Sequence, residues 1–356
     1  MRTRTWATSP RGPSRCAPKA PLAPTPFAPA RSPQTAVSCG CRQHRRRPMS
    51  FDAMRAAQKR PLPPLTLLGR PVTGVVSWNM NDTCNYRCTY CTQRFMPERT
   101  YRLKEFQAYL DAFAKLPGTW EIKLSGGEPF LQPGLDELVE GLVARGHLVS
   151  IQTNFSASPE RLLSFLEAAR GALHVFAASL HLEYDAPESF VEKAAVVREF
   201  LTEGGSFCVT SVATPARLQH LHDEVAPFFA QHGITFKVQP EKVHGVLRDY
   251  SDEQLGMLRA LGGHNQTGQV APNFRGRLCY AGANYFIIKS SGEAYRCYPA
   301  SRGTGPHNRL GSFLDGIALL QEPRVCPFDH CGCTVPIQRG MIQGVSPSAE
   351  SKMWGE

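Results

Sequence analysis

Cys84-Asn85-Tyr86-Arg87-Cys88-Thr89-Tyr90-Cys91 follows an apolar run, Val72 to Trp78, that reads as a buried strand. The three thiols stand at spacing C-x3-C-x2-C, among polar neighbours, with no fourth cysteine nearby. Three thiolates on one loop can hold three corners of a cubane iron–sulfur cluster and leave the fourth iron without a protein ligand. An open iron is a place for binding and chemistry, as the open position is on a catalytic zinc. Structural zinc competes for the same thiols, but it prefers four ligands in two pairs. A chance trio of core cysteines is the other alternative, and core cysteines do not usually crowd into a polar loop.

The pattern C-x3-C-x-aromatic-C after a first strand resembles the signature of the radical S-adenosylmethionine (SAM) enzymes. The resemblance implies a [4Fe-4S] cluster on Cys84, Cys88 and Cys91, with SAM chelated on the open iron. It implies reductive cleavage of SAM to methionine and a 5′-deoxyadenosyl radical that takes a hydrogen atom from a substrate. It also implies an electron donor such as flavodoxin or ferredoxin. Tyr90 fills the aromatic slot, beside the adenine in that family.

The 356 residues carry a formal net charge of +10, which alone would point to a polyanion. The excess is confined to residues 1–50, which hold nine Arg and one Lys and no acid. The rest is formally neutral and makes no case for nucleic acid. Twelve cysteines, eight of them in two groups at 84–91 and 279–333, suit iron–sulfur ligation in a reducing cytoplasm better than a secreted disulfide framework. No apolar run approaches the ~18 residues of a membrane span. Residues 1–50 read as a disordered tail, a transit peptide, or an extension upstream of a true start at Met49 or Met54. Residues 51–71, with Pro61, Pro63, Pro64 and Pro71, read as a linker.

From residue 72 strands and helices alternate. Strands are expected at 72–78, 120–124, 147–152, 173–180, 206–213 and 235–239, and helices at 101–115, 135–145, 159–169, 187–203 and 215–231. Ser158-Pro159 is a cap with a first-turn proline, and Ser251 to Gln254 is a capping box for a final helix. Strands that are continuous apolar runs imply a parallel sheet covered by helices. No G-x-G-x-x-G follows the first strand, against a dinucleotide fold. The resemblance implies an α/β partial (βα)6 TIM-like barrel over 72–265. A small Cys-rich domain over 266–345 and a tail at 346–356 would follow it.

Active residues of βα barrels sit at the C-terminal strand ends. After the second strand come Gly126, Gly127, Glu128 and Pro129, where glycines let backbone approach a ligand closely. They match the family stretch that grips the methionine amino group. After the third stand Thr153 and Asn154, able to reach the ribose or carboxylate of SAM. After the fourth stand Ser179 and His181, and after the sixth Glu241. His181 and Glu241 are the candidate catalytic residues, His181 because it can titrate near pH 7. Either can equally be an ordinary structural contact. Cys208 reads as a buried core thiol.

Cys279 and Cys297 bracket an expected hairpin, strands 285–289 and 294–298 around Gly292. Cys326, Cys331 and Cys333 follow. The segment from Cys279 to Cys297 resembles the start of the SPASM and twitch extensions, which implies a second, auxiliary [4Fe-4S] cluster. The downstream C-x4-C-x-C departs from both. The expected ligands are Cys279, Cys297, Cys326 and Cys331, with Cys333 an alternative to Cys331. Structural zinc on these residues competes.

Twitch and SPASM relatives act on ribosomal peptides and on small molecules, so a small-molecule or peptide substrate is expected. Nucleotide cyclisation is not, since that calls for different C-terminal cysteine spacing and a terminal Gly-Gly, and this chain ends Trp354-Gly355-Glu356. The competing class is a non-catalytic, zinc- or cluster-stabilised binding module.

Overall fold

The computed structural model describes residues 65–92, 106–243, 246–262, 273–305, 307–329, 331 and 335–344. The expectations for residues 1–64, 101–105, Cys333 and 346–356 lie outside the described residues.

Strands β1 (Leu65–Leu67) and β2 (Arg70–Val72) pair antiparallel. The end of the expected linker is therefore a hairpin, and Leu67 and Val72 bury against Leu148 and Ala172. Pro71 is tolerated because a two-stranded ladder leaves half its N–H sites unused.

Six parallel strands follow: β3 (Gly74–Asn79), β4 (Trp120–Ser125), β5 (Leu148–Thr153), β6 (Leu173–Leu180), β7 (Ser206–Ala213) and β8 (Thr235–Pro240). Each hydrogen-bonds the next in sequence order. Helices Phe106–Ala114, Leu135–Ala144, Pro159–Ala168 and Glu188–Glu199 separate the first five. Their apolar faces bury against alternate strand residues such as Trp78, Ile122, Leu124, Phe176 and Val209. The expected 215–231 helix has a π turn, Leu221–Val225, between α-helical pieces Leu218–His220 and Ala226–Gln231. Pro227 lacks an N–H and its ring crowds the carbonyl four residues back, and a wider turn accommodates it.

Strands β9 (Lys242–Val243) and β10 (Val246–Leu247) form a small hairpin before the helix Asp252–Ala260. That helix opens on the expected capping box, Ser251 with Gln254.

The C-terminal part holds β11 (Leu278–Cys279), β12 (Tyr285–Ile288), β13 (Glu293–Tyr295), β14 (Arg309–Ser312), β15 (Gly316–Ile317) and β16 (Arg324–Val325). The expected hairpin is β12–β13, shorter than read, so Arg296 and Cys297 lie beyond its end. Strand β12 also pairs parallel with β3, and β13, β14 and β15 extend the sheet antiparallel. One ten-stranded sheet thus runs β15-β14-β13-β12-β3-β4-β5-β6-β7-β8. Gly74 permits the join: a Cβ there would lie 2.2 Å from the Asn284 carbonyl, which accepts the Val75 N–H at 2.9 Å. The βα repeat from β3 to β8 is the partial (βα)6 barrel, with the β12–β15 segment on its first strand.

The helix Val335–Gln338 is followed by Arg339, which donates to the buried Glu121 of β4 at 3.2 Å. Ser150 (2.7 Å), His174 (2.9 Å) and Lys123 (3.5 Å) complete the shell around that carboxylate. Burial opposes its charge, yet Lys123, Arg339 and His174 hold the carboxyl well below the ordinary range.

Candidate functional site

The cysteine loop leaves β3 and lies against the exits of β4, β5 and β6. Cys84 and Cys88 are half-buried, Cys91 is exposed, and none is in a disulfide. Burial raises the pKa of both Cys84 and Cys88, with repulsion from Glu128 and Cys91 at Cys84 and from Glu183, Cys91 and Cys84 at Cys88, which is pushed up to about 11. Those two thiols are therefore held protonated near pH 7. A cation bound there must displace those protons and would relieve that repulsion. Among the described residues no three Cys, His, Asp or Glu converge as a set that could hold a single metal ion. The donor set suits a larger group: three thiols on one loop at a strand end, with one backbone and one side-chain donor directed at Cys84. Tyr86 N–H lies 3.4 Å from Cys84 Sγ, and Asn154 Nδ2 lies 3.8 Å from it.

The Gly126–Pro129 stretch docks onto the segment that precedes the thiols. Gly127 N–H donates to the Asn81 carbonyl (2.8 Å) and Glu128 N–H to the Thr83 carbonyl (2.7 Å). A Cβ on Gly127 would sit 1.8 Å from the Thr83 oxygen, and one on Gly126 2.6 Å from the Asn81 oxygen. The glycines let backbone meet backbone here. The Glu128 carbonyl accepts from Asn81 Nδ2 and the Pro129 carbonyl from the Gln132 N–H.

Glu128 is fully buried and joins the exits of β4 and β5. Its carboxylate accepts from Thr153 Oγ1 (2.6 Å), Phe130 N–H (3.0 Å) and Asn154 N–H (2.7 Å). Burial outweighs these donors and lifts its pKa to about 7. The Thr153 hydroxyl, expected to reach SAM, is spent on Glu128. Asn154 keeps its side chain for the loop, donating to Asn85 Oδ1 at 2.8 Å.

The segment after β6 binds the loop along its length. His181 Nδ1 lies 2.8 Å from the Tyr90 hydroxyl and 3.3 Å from Cys88 Sγ. Glu183 accepts from Thr89 N–H and Oγ1 and pairs with Arg217 at 3.5 Å. The Tyr184 hydroxyl accepts the Arg87 N–H at 2.7 Å, and its ring stacks on Tyr86 at 4.2 Å. Asp185 accepts the Tyr86 hydroxyl at 3.0 Å. Burial lowers His181 to about 4, so the imidazole is neutral near pH 7 and does not titrate there as expected. With its one ring proton on Nε2, Nδ1 can accept from the Tyr90 hydroxyl or from the Cys88 thiol.

Ser179 lies in a polar row across β5, β6 and β7, accepting from Gln152 Nε2 (3.3 Å) and meeting Thr210 Oγ1 at 3.4 Å. Glu241 is buried and pairs with Arg248 at 3.3 Å, and among the described residues it makes no hydrogen bond or ion pair to the cysteine loop. The structure thus gathers Cys84, Cys88, Cys91, Tyr90, Gly126, Gly127, Glu128, Asn154 and His181, and leaves Glu241 outside their contacts. Sequence reading missed Tyr86, Glu183, Tyr184 and Asp185. The signal for the last three was the mostly polar and aromatic run His181 to Asp185, directly after an apolar strand.

The second cysteine group closes through β11 and β16, which pair Cys279 with Arg324 and set Cys326 beside them. Cys279, Cys297, Cys326 and Cys331 line one cavity, otherwise walled by apolar side chains and Arg296. Cys208 is a core residue, as expected.

A family model described as the radical SAM superfamily matches residues 78–202. The chain carries a radical SAM domain. GTP 3′,8-cyclase 2 of Pseudomonas aeruginosa is 35% identical over 121 residues, 32% of this chain and 36% of that protein. The 7-carboxy-7-deazaguanine synthase of Clostridium acetobutylicum is 33% identical over 115 residues, 31% of this chain and 46% of its own. The chain therefore spans less than half the length of these curated relatives. Among solved structures, anSMEcpe with bound AdoMet aligns at a TM-score of 0.47 and 16% identity, over 68% of this chain and 78% of that one. Streptococcus suis SuiB aligns at 0.46 and 18%, over 68% and 64%. The radical SAM domain so matched contains the three-cysteine loop, the Gly126–Pro129 stretch and the His181–Asp185 segment. No helix among the described residues is long and apolar enough to cross a membrane.

Proposed function

We propose that this chain is a radical SAM enzyme that abstracts a hydrogen atom from a small-molecule or peptide substrate. The observation that carries the proposal is the set of three undisulfided thiols on a loop laced to the exits of β4, β5 and β6. Cys84, Cys88 and Cys91 would hold a [4Fe-4S] cluster there, which when bound supplies the electron for reductive cleavage of SAM. The chain's own residues do the rest. Glu128, Asn154 and Glu183 fix the loop, and Tyr90 and His181 offer a ring face and a polar edge beside Cys88. Ser179 and its neighbours Gln152 and Thr210 present a polar row suited to substrate hydroxyls or amides.

Cys279, Cys297, Cys326 and Cys331 are proposed to hold an auxiliary [4Fe-4S] cluster in a SPASM- or twitch-like extension. One observation supports it: the four thiols share a cavity. A flavodoxin or ferredoxin is the electron donor this chemistry calls for, and a reducing cytoplasm suits the thiols.

Anaerobic reconstitution tests the proposal. About eight irons per chain are expected if both sites hold four-iron clusters, with 5′-deoxyadenosine formed on adding SAM and dithionite. Cys84→Ala should abolish that product. A well-loaded protein that never forms it, or one that purifies with zinc and no iron, would make the chain a metal-stabilised binding module instead.

A further inference from the structure

Arg296 follows β13 immediately before Cys297 and is 4% exposed. Its backbone N–H donates to the Asn308 carbonyl at 2.9 Å, which fixes where the side chain starts. The side chain lines the cavity of Cys279, Cys297, Cys326 and Cys331. Its guanidinium carbon lies 5.9 Å from the Phe328 ring centroid, and its Nε is buried with no hydrogen-bond partner. The buried carboxylates among the described residues are compensated. Glu121 has Lys123, His174 and Arg339, Glu128 has three donors, and Glu241 has Arg248.

Arginine does not give up its proton in a protein. A buried guanidinium without a counter-charge costs several kcal/mol. Phe328 supplies a ring face, which offsets only part of that. Among the described residues no carboxylate pairs with Arg296, and the other polar side chains lining the cavity are thiols, so the partner this site calls for is an anion. Four thiolates outweigh the charge of the iron–sulfide core they would hold, so the loaded site is the anion that Arg296 lacks.

Resting on the auxiliary-cluster assignment above, we propose that Arg296 is the built-in counter-charge of that cluster and raises its reduction potential. Adding an electron makes the cluster more negative, and a fixed cation at close range in a dry cavity favours the added charge. Arg296 is a positioning residue, since it acts through the cluster and not on substrate.

The test is an EPR-monitored redox titration of the reconstituted full-length chain, with iron counted per chain. The Cys84→Ala/Cys88→Ala/Cys91→Ala variant serves to assign the auxiliary signal. In Arg296→Met the auxiliary signal should persist with its midpoint lowered by at least a tenfold change in the reduction equilibrium, ~59 mV for one electron. Arg296→Lys should recover most of the shift. Retention of the auxiliary iron in Arg296→Lys but not in Arg296→Met would support the counter-charge in a stronger form. An unchanged midpoint in Arg296→Met overturns the proposal, and so does equal loss of iron in both variants, which would make the role one of packing. A wild-type chain with only about four irons, all removed by the triple variant, overturns the auxiliary assignment itself and the proposal with it.

Discussion

Glu183 grips Thr89 at two points, accepting its backbone N–H at 2.9 Å and its hydroxyl at 2.5 Å. Thr89 sits between Cys88 and Cys91, so this carboxylate holds the middle of the thiol loop from the exit of β6. Arg217, at 3.5 Å, keeps the carboxylate in place. Groups that orient ligands from behind typically matter tenfold or more to metal affinity. Glu183→Ala should therefore lower iron affinity at the first site by about tenfold while the fold persists. Iron per chain under limiting reconstitution, with circular dichroism as the control, reads it out. Full loading in the variant would show that the loop does not need this clamp.

Glu128 gives a pH dependence with a definite sign. Its pKa is lifted from 4.5 to about 7 by burial, against three hydrogen-bond donors. A group whose folded pKa is raised contributes most at low pH. That contribution is complete below about 4.5 and is lost as pH rises through about 7. The size is roughly 3 kcal/mol, from the cost of each pKa unit. Urea unfolding of the cluster-free chain between pH 5 and pH 8 should show stability falling with pH in wild type and a flatter profile in Glu128→Gln. Identical slopes would mean that the carboxyl is not the group titrating.

How much of this was legible beforehand depended on whether the signal was local. Strands β6 and β7 are bounded by residues that the apolar runs named, and the caps at Ser158 and Ser251 form as their side chains predict. The β1–β2 hairpin was hidden by its proline, because Pro71 argues against a strand unless the ladder is an edge. The joining of β12 to β3 was invisible, since it pairs residues some two hundred positions apart. Gly74 was its only trace.

The site divided the same way. The thiols and Glu128 announced themselves by spacing. Glu183 and Asp185 did not, because an acid after a strand reads as a solvated turn until the fold brings Thr89 and Tyr86 to it. His181 was named at the exit of β6, but its environment was not legible. Burial, which lowers its pKa to about 4, is a property of the assembled barrel.

Gly127 tests the contact between the β4 exit and the loop. A methyl group there would sit 1.8 Å from the Thr83 carbonyl oxygen, which is backbone and cannot swing aside. The same oxygen accepts the Glu128 N–H, so relief of the clash breaks a buried hydrogen bond. Gly127→Ala should cost about 3 kcal/mol, the upper range of overpacking, and should lower iron loading. Gly146→Ala is the control. It meets nothing within 4 Å and is strained only by its φ of +81°, so it should cost about 1 kcal/mol with iron loading intact. Equal losses of iron loading in both variants would refute the steric argument.

The last prediction concerns what ties residues 335–344 to the barrel. Arg339 reaches Glu121, which is 0% exposed and also contacts Lys123, His174 and Ser150. Removing one member of a buried ion pair strands the other, typically at 3–5 kcal/mol, whereas removing both costs far less. Lys123 and His174 remain beside Glu121, so Arg339→Met should fall at the lower end, about 3 kcal/mol. Glu121→Gln should also destabilise, and the double variant should lose less than the sum of the two. The pH sign is opposite to that of Glu128. The Glu121 carboxyl is held below 4.5, so its contribution is present above that value and disappears as pH falls through the folded pKa. A double-mutant cycle by urea unfolding at pH 7 measures the coupling. Strict additivity would mean that the Arg339–Glu121 contact contributes nothing, and that apolar packing of Val335, Ile337, Met341 and Ile342 alone docks this segment.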